Sequence, residues 1–352
     1  MKKNLVKFAA VLSGLALLGT SLAGCNKKPG VSETPAPVTS ENPGTMETPD
    51  TWNPEIEQNL LAFADGGAKI KVTQDGVFAL ANGGEYSLED LRENVNRAYD
   101  EMFEPGTKKV IEIDYAIIDC GKDGRPELAI CVVGDTDSRD SEIRDYYIVT
   151  ENNGELTVAA NFESFYRAWG DLNKYGVFHM SGSGGASLMV DSWERVNGNG
   201  EYEFIYSCES ELAMGEPVIY GYELPTGTDL PQGYPYTAAE YADNNREKYS
   251  FAPMGTDMRD ESPEYDEYLK KLVYVFHDAN GNVIYPKDEY RQIYDDLGIV
   301  VTDDDNIKQL INQRIAELGI SEEEMYTLDS TPDSVPTWNI AWDGLEAQPL
   351  EP

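Results

Sequence analysis

The residues best suited to chemistry lie in one run, Asp119-Cys120-Gly121-Lys122-Asp123-Gly124-Arg125-Pro126-Glu127-Leu128. Asp119, Asp123 and Glu127 place a carboxylate at every fourth position. A calcium ion takes six to eight oxygens, and a glycine at the sixth position of such a loop, here Gly124, permits a sharp turn. Between the first two acids stand Gly121, whose side chain offers no oxygen, and Lys122, which adds a cation. Two readings follow. One is a calcium loop weakened by these two residues; the other is a tight strand-loop-strand turn in which Asp side chains accept from backbone N–H groups.

A second residue with specific chemistry is Cys25. Lys2, Lys3 and Lys7 precede an uncharged stretch from Phe8 to Gly19, and Leu22-Ala23-Gly24-Cys25 closes the segment with small residues. A basic start, a short apolar stretch and a small-residue cleavage site mark residues 1–24 as an export signal. The apolar stretch falls short of the roughly 20 residues needed to cross a bilayer as a helix. The Leu-Ala-Gly-Cys ending resembles the lipobox of bacterial lipoproteins. The resemblance implies cleavage before Cys25, diacylation of its thiol with palmitate-type chains, and a place on the outer face of the cytoplasmic membrane. Two acyl chains hold where one is marginal. Residues 25–54 carry Pro29, Pro35, Pro37, Pro43, Pro49 and Pro54 among polar residues, a disordered stalk with no core to bury.

Charge narrows the partners. The chain carries a net charge of −37, and removal of residues 1–24, which hold three lysines and no acid, makes it −40. So acidic a surface repels nucleic acid and excludes it as a main partner. Calcium is the one cofactor the residues suggest.

Other chemistry-bearing types are sparse. His179 and His277 stand far apart, giving little basis for a histidine-rich zinc site or a histidine-dependent triad. Cys120, Cys131 and Cys208 have no CxxC spacing, leaving one disulfide plus a free thiol, or three separate buried cysteines. Ser181-Gly182-Ser183-Gly184-Gly185 lacks the Gly-x-Ser-x-Gly order of a nucleophile elbow, and the strand expected after it rules out a dinucleotide loop. It reads as a turn where backbone approaches a neighbour. Tyr202, Tyr206, Tyr220 and Tyr222 alternate along strands, where they fill a core or stack on sugar rings.

These residues must be positioned by an α+β fold, a largely antiparallel, hairpin-rich sheet with a few packed helices. Ser87 caps a helix over 88–102 with Asp90 at its third position. Nearly continuous apolar runs at 110–119 and 128–133 are central strands. Hairpins are expected at 69–72/77–80 around Asp75-Gly76, at 146–150/156–160, and at 271–277/282–285 across Asn280-Gly281. Strands continue at 177–180, 187–196, 201–208 and 217–224, and such an order of hairpins favours an antiparallel sheet. Helices are expected over 55–63, from Thr237 through Tyr249, over 287–297 and over 304–318. Proline and glycine at 225–235 mark a boundary. The division is 1–24 signal, 25–54 stalk, 55–225 α+β domain, 226–328 a smaller region or a continuation of the first, and 329–352 a loose acidic tail.

The Asp119–Leu128 run is similar to the calcium loop of FG-GAP and VCBS-type repeats, and to a DxDGDGxPEL hairpin common in poorly characterised lipoproteins of clostridia and their relatives. That resemblance implies Asp119, Asp123 and Glu127 as carboxylate ligands, with the carbonyl of Arg125 beside them. The expectation is a membrane-tethered module that acts by binding an envelope polysaccharide, a peptide or a protein, with no complete catalytic motif. The alternatives are an envelope hydrolase using carboxylates and the solute-binding component of a transporter.

Overall fold

A computed structural model describes residues 52–135, 143–164, 167–183, 188–212, 245–253, 271–277, 281–285, 300–326 and 336–343. Thr51–Pro352 form one compact unit. The expected export signal, Cys25 and the expected stalk up to residue 51 lie outside the described residues, as do the expected strand at 217–224 and helix at 287–297. Among the described residues no helix is long and apolar enough to cross a membrane.

The elements run α1 (Pro54–Ala64), β1 (Ile70–Lys71), β2 (Glu85–Tyr86), α2 (Leu88–Met102), β3 (Val110–Ile118), β4 (Glu127–Gly134), β5 (Ile143–Asn152), β6 (Glu155–Glu163), β7 (Ala168–Leu172), β8 (Val177–Ser183) and β9 (Leu188–Val196). They continue as β10 (Tyr202–Leu212), β11 (Asn245–Ser250), β12 (Val273–His277), β13 (Val283–Ile284), β14 (Val300–Val301), α3 (Asp304–Glu317), α4 (Glu322–Tyr326) and β15 (Asn339–Asp343). Sheet A has the order β15-β3-β4-β5-β6-β1-β2, and sheet B the order β13-β12-β11-β10-β9-β8-β7, with β14 also on β12. Pairing is antiparallel except at β1–β6 and β12–β14. The α+β reading holds.

Alternation of side chains along the strands sorts these elements into layers. Leu128, Ile130 and Val132 of β4 face a core with Leu60 and Phe63 of α1 and Leu91, Val95 and Tyr99 of α2. Ala129, Cys131 and Val133 face the other way, against Leu172, Phe178 and Val196 of sheet B. β4 is therefore buried on both sides, which is why its sequence reads as a continuous apolar run. The outer face of sheet B is covered by α3 and α4 through Ile307, Ile315 and Met325.

Local signals explain most elements. In α2 the Ser87 hydroxyl accepts from Asp90 N while the Asp90 carboxylate accepts from Ser87 N, a reciprocal capping box. At α1 Asn53 caps and Pro54 takes the first position, where its missing N–H costs nothing. Buried Tyr99 donates its hydroxyl to Asp145 at 2.7 Å, and burial holds that carboxyl well above its usual range. Cys120, Cys131 and Cys208 are all free thiols.

Three expectations need correction. Residues 77–80 form a turn instead of a strand, with Val77 and Leu80 plugging the core, and β1 pairs with β2 at 85–86. Residues 245–250 of the expected helix through Tyr249 form β11 in the interior of sheet B, hydrogen-bonded on both edges by β10 and β12. Strand pairing on both sides there overrides the local cap signal at Thr237. Residues 339–343 of the expected tail form β15 on the edge of sheet A. Trp338 packs beside Tyr146, and the Arg92 guanidinium lies over the Trp342 ring, so burial of two indoles outweighs the acidic, proline-rich surroundings. Strands β11 and β12 also continue sheet B, extending the fold begun before residue 225.

Candidate functional site

The Asp119–Leu128 run connects two central strands, and its carboxylates point into their own backbone. Asp119 Oδ1 accepts from Gly124 N at 3.0 Å, Asp123 Oδ1 from Arg125 N at 2.8 Å, and Glu127 Oε2 from Cys120 N at 2.8 Å. The Arg125 guanidinium ties the loop to the next hairpin through Glu151 O and Asn152 Oδ1. Lys122 turns out of the loop to Glu323 at 2.5 Å and sits over the Tyr175 ring. Gly121 has φ 71°, and a Cβ there would lie 2.6 Å from Gly198 N, so glycine is required by conformation and by contact.

Glu127 is 1% exposed, and its Oε1 has no hydrogen-bond partner. Desolvation, with a further push from the Asp123 and Asp119 charges, raises its carboxyl to about 8. Burial likewise raises Asp119. The calcium expected of Asp119, Asp123, Arg125 and Glu127 needs six to eight oxygens converging on one point. Here each carboxylate already serves a backbone N–H, and the three do not bring ligand oxygens within 4.8 Å of one another. As folded, the loop does not fit a calcium ion; its acids act as turn-holding acceptors.

The face that can meet a ligand lies elsewhere, on the outside of sheet B. Register puts Trp169, Ser181, Asp191 and Cys208 in one row across β7–β10, and Asp171, His179, Trp193 and Tyr206 in the next. Over β10–β12 this face is roofed by α3, whose Arg314 donates to Phe204 O at 2.7 Å. The cover reaches Val177 of β8 and Trp193 of β9, and it ends before Trp169 and Met189. Trp169 is 66% exposed and Met189 48%.

In the Trp169 row and the one after it sits an ordered polar group. Asp191 Oδ2 meets His179 Nε2 at 2.8 Å, and its Oδ1 accepts from Trp193 Nε1 at 2.8 Å. The His179 ring stacks on Trp193 with centroids 4.0 Å apart, and Tyr206 stacks beyond at 6.3 Å. Trp193 and Tyr206 pack under α3, so the stack is anchored at one end and open at the His179 end. The arrangement offers an apolar ring face beside rigidly held acceptors and donors.

Of the expected sugar-stacking tyrosines, Tyr206 joins this row under α3, Tyr202 faces sheet A and donates to Glu194, and Tyr220 and Tyr222 lie outside the described residues. In the serine-glycine stretch, Ser181–Ser183 end β8, and a Cβ on Gly182 would lie 2.2 Å from Arg167 O, a close backbone approach of the kind expected. Residues 184–187 lie outside the described residues. The sequence reading missed Trp169, Asp171, Asp191 and Trp193. The available signal was the alternation of Ala168-Trp169-Gly170-Asp171-Leu172, which marks a half-buried strand.

Comparison with protein-family models, with curated proteins and with solved structures finds no match for this chain.

Proposed function

We propose that this chain is an extracytoplasmic lipoprotein, tethered through Cys25, whose folded part binds a neutral glycan of the cell envelope on the open face of sheet B. The observation that carries the binding reading is exposed Trp169 beside the fixed Asp191–His179–Trp193 group. A sugar ring offers an apolar C–H face for an indole and hydroxyls for carboxylate and imidazole, and few precisely placed polar groups suffice to orient it. The strongly acidic chain selects against anionic polymers, which favours a neutral ligand.

The tether rests on the Leu22-Ala23-Gly24-Cys25 ending and the basic, apolar segment before it. The hydrolase alternative lacks a comparable foundation. Of the carboxyls that burial raises, which include Glu163 and Glu194, the two most buried, Glu127 and Asp145, are 1% and 2% exposed and out of reach of a polymer. Among the described residues the mostly antiparallel order of both sheets shows no βαβ lobes for the transporter reading to rest on.

The test is sedimentation of the full chain with insoluble neutral polysaccharides, with purified peptidoglycan and an anionic wall polymer as comparison arms. Trp169→Ala is expected to weaken neutral-glycan binding by about fivefold to about 150-fold, since a ring stacked on an aromatic face contributes ~1–3 kcal/mol. Binding that is unchanged in Trp169→Ala, or confined to the anionic polymer, overturns the assignment of this face. In parallel, a lipid label should enter the wild type and be absent from Cys25→Ser; equal labelling of both removes the tether.

A further inference from the structure

At the β12 end of the same outer face of sheet B, Glu247, His277 and Asp304 each offer one ligand atom, and the three atoms lie within 4.8 Å of one another. They come from three elements that the fold fixes independently. Glu247 stands in β11 opposite Val275 of β12, and His277 closes β12 opposite Asn245. Asp304 opens α3, which is held down on the same strands by Ile307 against Val273 and Val275.

Several details leave these side chains available. Asp303 performs the helix cap, accepting from Asn306 N at 2.9 Å and from the Tyr285 hydroxyl at 3.0 Å, so Asp304 is not consumed by it. His277 Nε2 faces Asp304 Oδ1 at 3.0 Å. Glu247 Oε2 accepts from the Tyr249 hydroxyl at 2.7 Å, an outer bond of the kind that orients a metal-bound carboxylate. Among the described residues neither Glu247 nor Asp304 is paired with a lysine or arginine, and the nearby Lys248 is engaged by Glu209.

We infer that Glu247, His277 and Asp304 bind a divalent transition-series cation, zinc foremost. The donor set decides the class. An imidazole nitrogen with two carboxylate oxygens suits zinc, whereas calcium and magnesium call for oxygen alone. Tetrahedral zinc with ligands at about 2.0–2.2 Å sets its donors roughly 3.4 Å apart. The His277–Asp304 pair is already close to that, and Glu247 needs only a side-chain adjustment. The cation takes the place of the hydrogen shared between Nε2 and Oδ1, and three protein ligands leave one position for water. The site cross-links β11, β12 and α3.

The test is calorimetric titration of metal-depleted full chain with zinc chloride alone, repeated with calcium chloride and magnesium chloride. One equivalent of zinc is expected to bind and to raise the melting temperature, with no comparable effect of calcium or magnesium. His277→Ala and Asp304→Asn each weaken zinc binding by more than about tenfold, and His179→Ala leaves it unchanged. Circular dichroism checks that each variant folds. Cobalt should substitute and give the visible absorption of a four-coordinate site, lost in His277→Ala, which reads the site even where a variant shifts stability. Weak zinc uptake at many sites, indifferent to His277→Ala, overturns the inference. So does loss of binding in His179→Ala, or equal binding of calcium.

Discussion

Sheet A and sheet B are made of similar strands but are treated differently by the rest of the chain. Sheet A is covered on one face by α1 and α2 and on the other by sheet B, and its central strand β4 is buried along its whole length. Sheet B shares one face with sheet A, and its outer face is covered by α3 and α4 over β10–β12 and over Val177 and Trp193, but not at Trp169 and Met189. A fully covered sheet can do little but hold its shape. The half-covered sheet keeps exposed Trp169 and Met189 on its open side, so binding chemistry has room there.

This contrast can be sharpened by substitution. The largest effects belong in the covered sheet. Burial raises the Glu127 carboxyl to about 8, above its ordinary 4.5. The folded chain thus holds that proton more tightly than the unfolded chain does. Stability is fully present below about 4.5 and is lost as pH rises through about 8, by up to about 5 kcal/mol. Glu163, raised to about 7 by burial, pulls in the same direction. Glu127→Gln keeps an acceptor for Cys120 N and does not titrate, so its urea midpoint should fall less between pH about 5 and about 9 than the wild type's. Equal slopes would show that Glu127 is better hydrated than its burial implies.

Next in size is Leu128→Ala. Leu128 is fully buried in β4, and truncation should cost about 2–5 kcal/mol in equilibrium denaturation. The smallest effect belongs to the open face. Trp169→Ala should change stability by no more than about 0.5 kcal/mol, because the exposed indole leaves little core behind. If Trp169→Ala destabilised the fold as much as Leu128→Ala, the contrast between the sheets would collapse.

What the sequence made legible follows the same division. The Ser87–Asp90 cap, the apolar runs of β3 and β4 and the Asn153-Gly154 hairpin are local, and a local pattern is enough to read them. β11 and β15 are not local. Arg246 and Lys248 look soluble in sequence, and only strands on both edges make them β; Ile340 is 61% exposed, and β15 depends on a strand far earlier in the chain. The candidate sites were hidden for the same reason. Trp169, His179, Asp191 and Trp193 meet through register across three strands, and Glu247, His277 and Asp304 meet only once β11, β12 and α3 are packed. The Asp119–Glu127 run was conspicuous because its acids are close in sequence, yet that closeness lets them satisfy their own turn.

β15 has a consequence for how the chain becomes a protein. Its partner β3 lies more than two hundred residues earlier, since Tyr115 pairs with Asn339. A chain produced from its N-terminus presents β3 with one edge open until the last part arrives. Open edges of apolar strands are templates for wrong pairing. Closing so long a loop is also slow, and the late contacts reward it only at the end. Completion of sheet A is therefore a quality check on chain length: a molecule cut short before Trp338 keeps its helices and hairpins but carries an unpaired edge that favours aggregation.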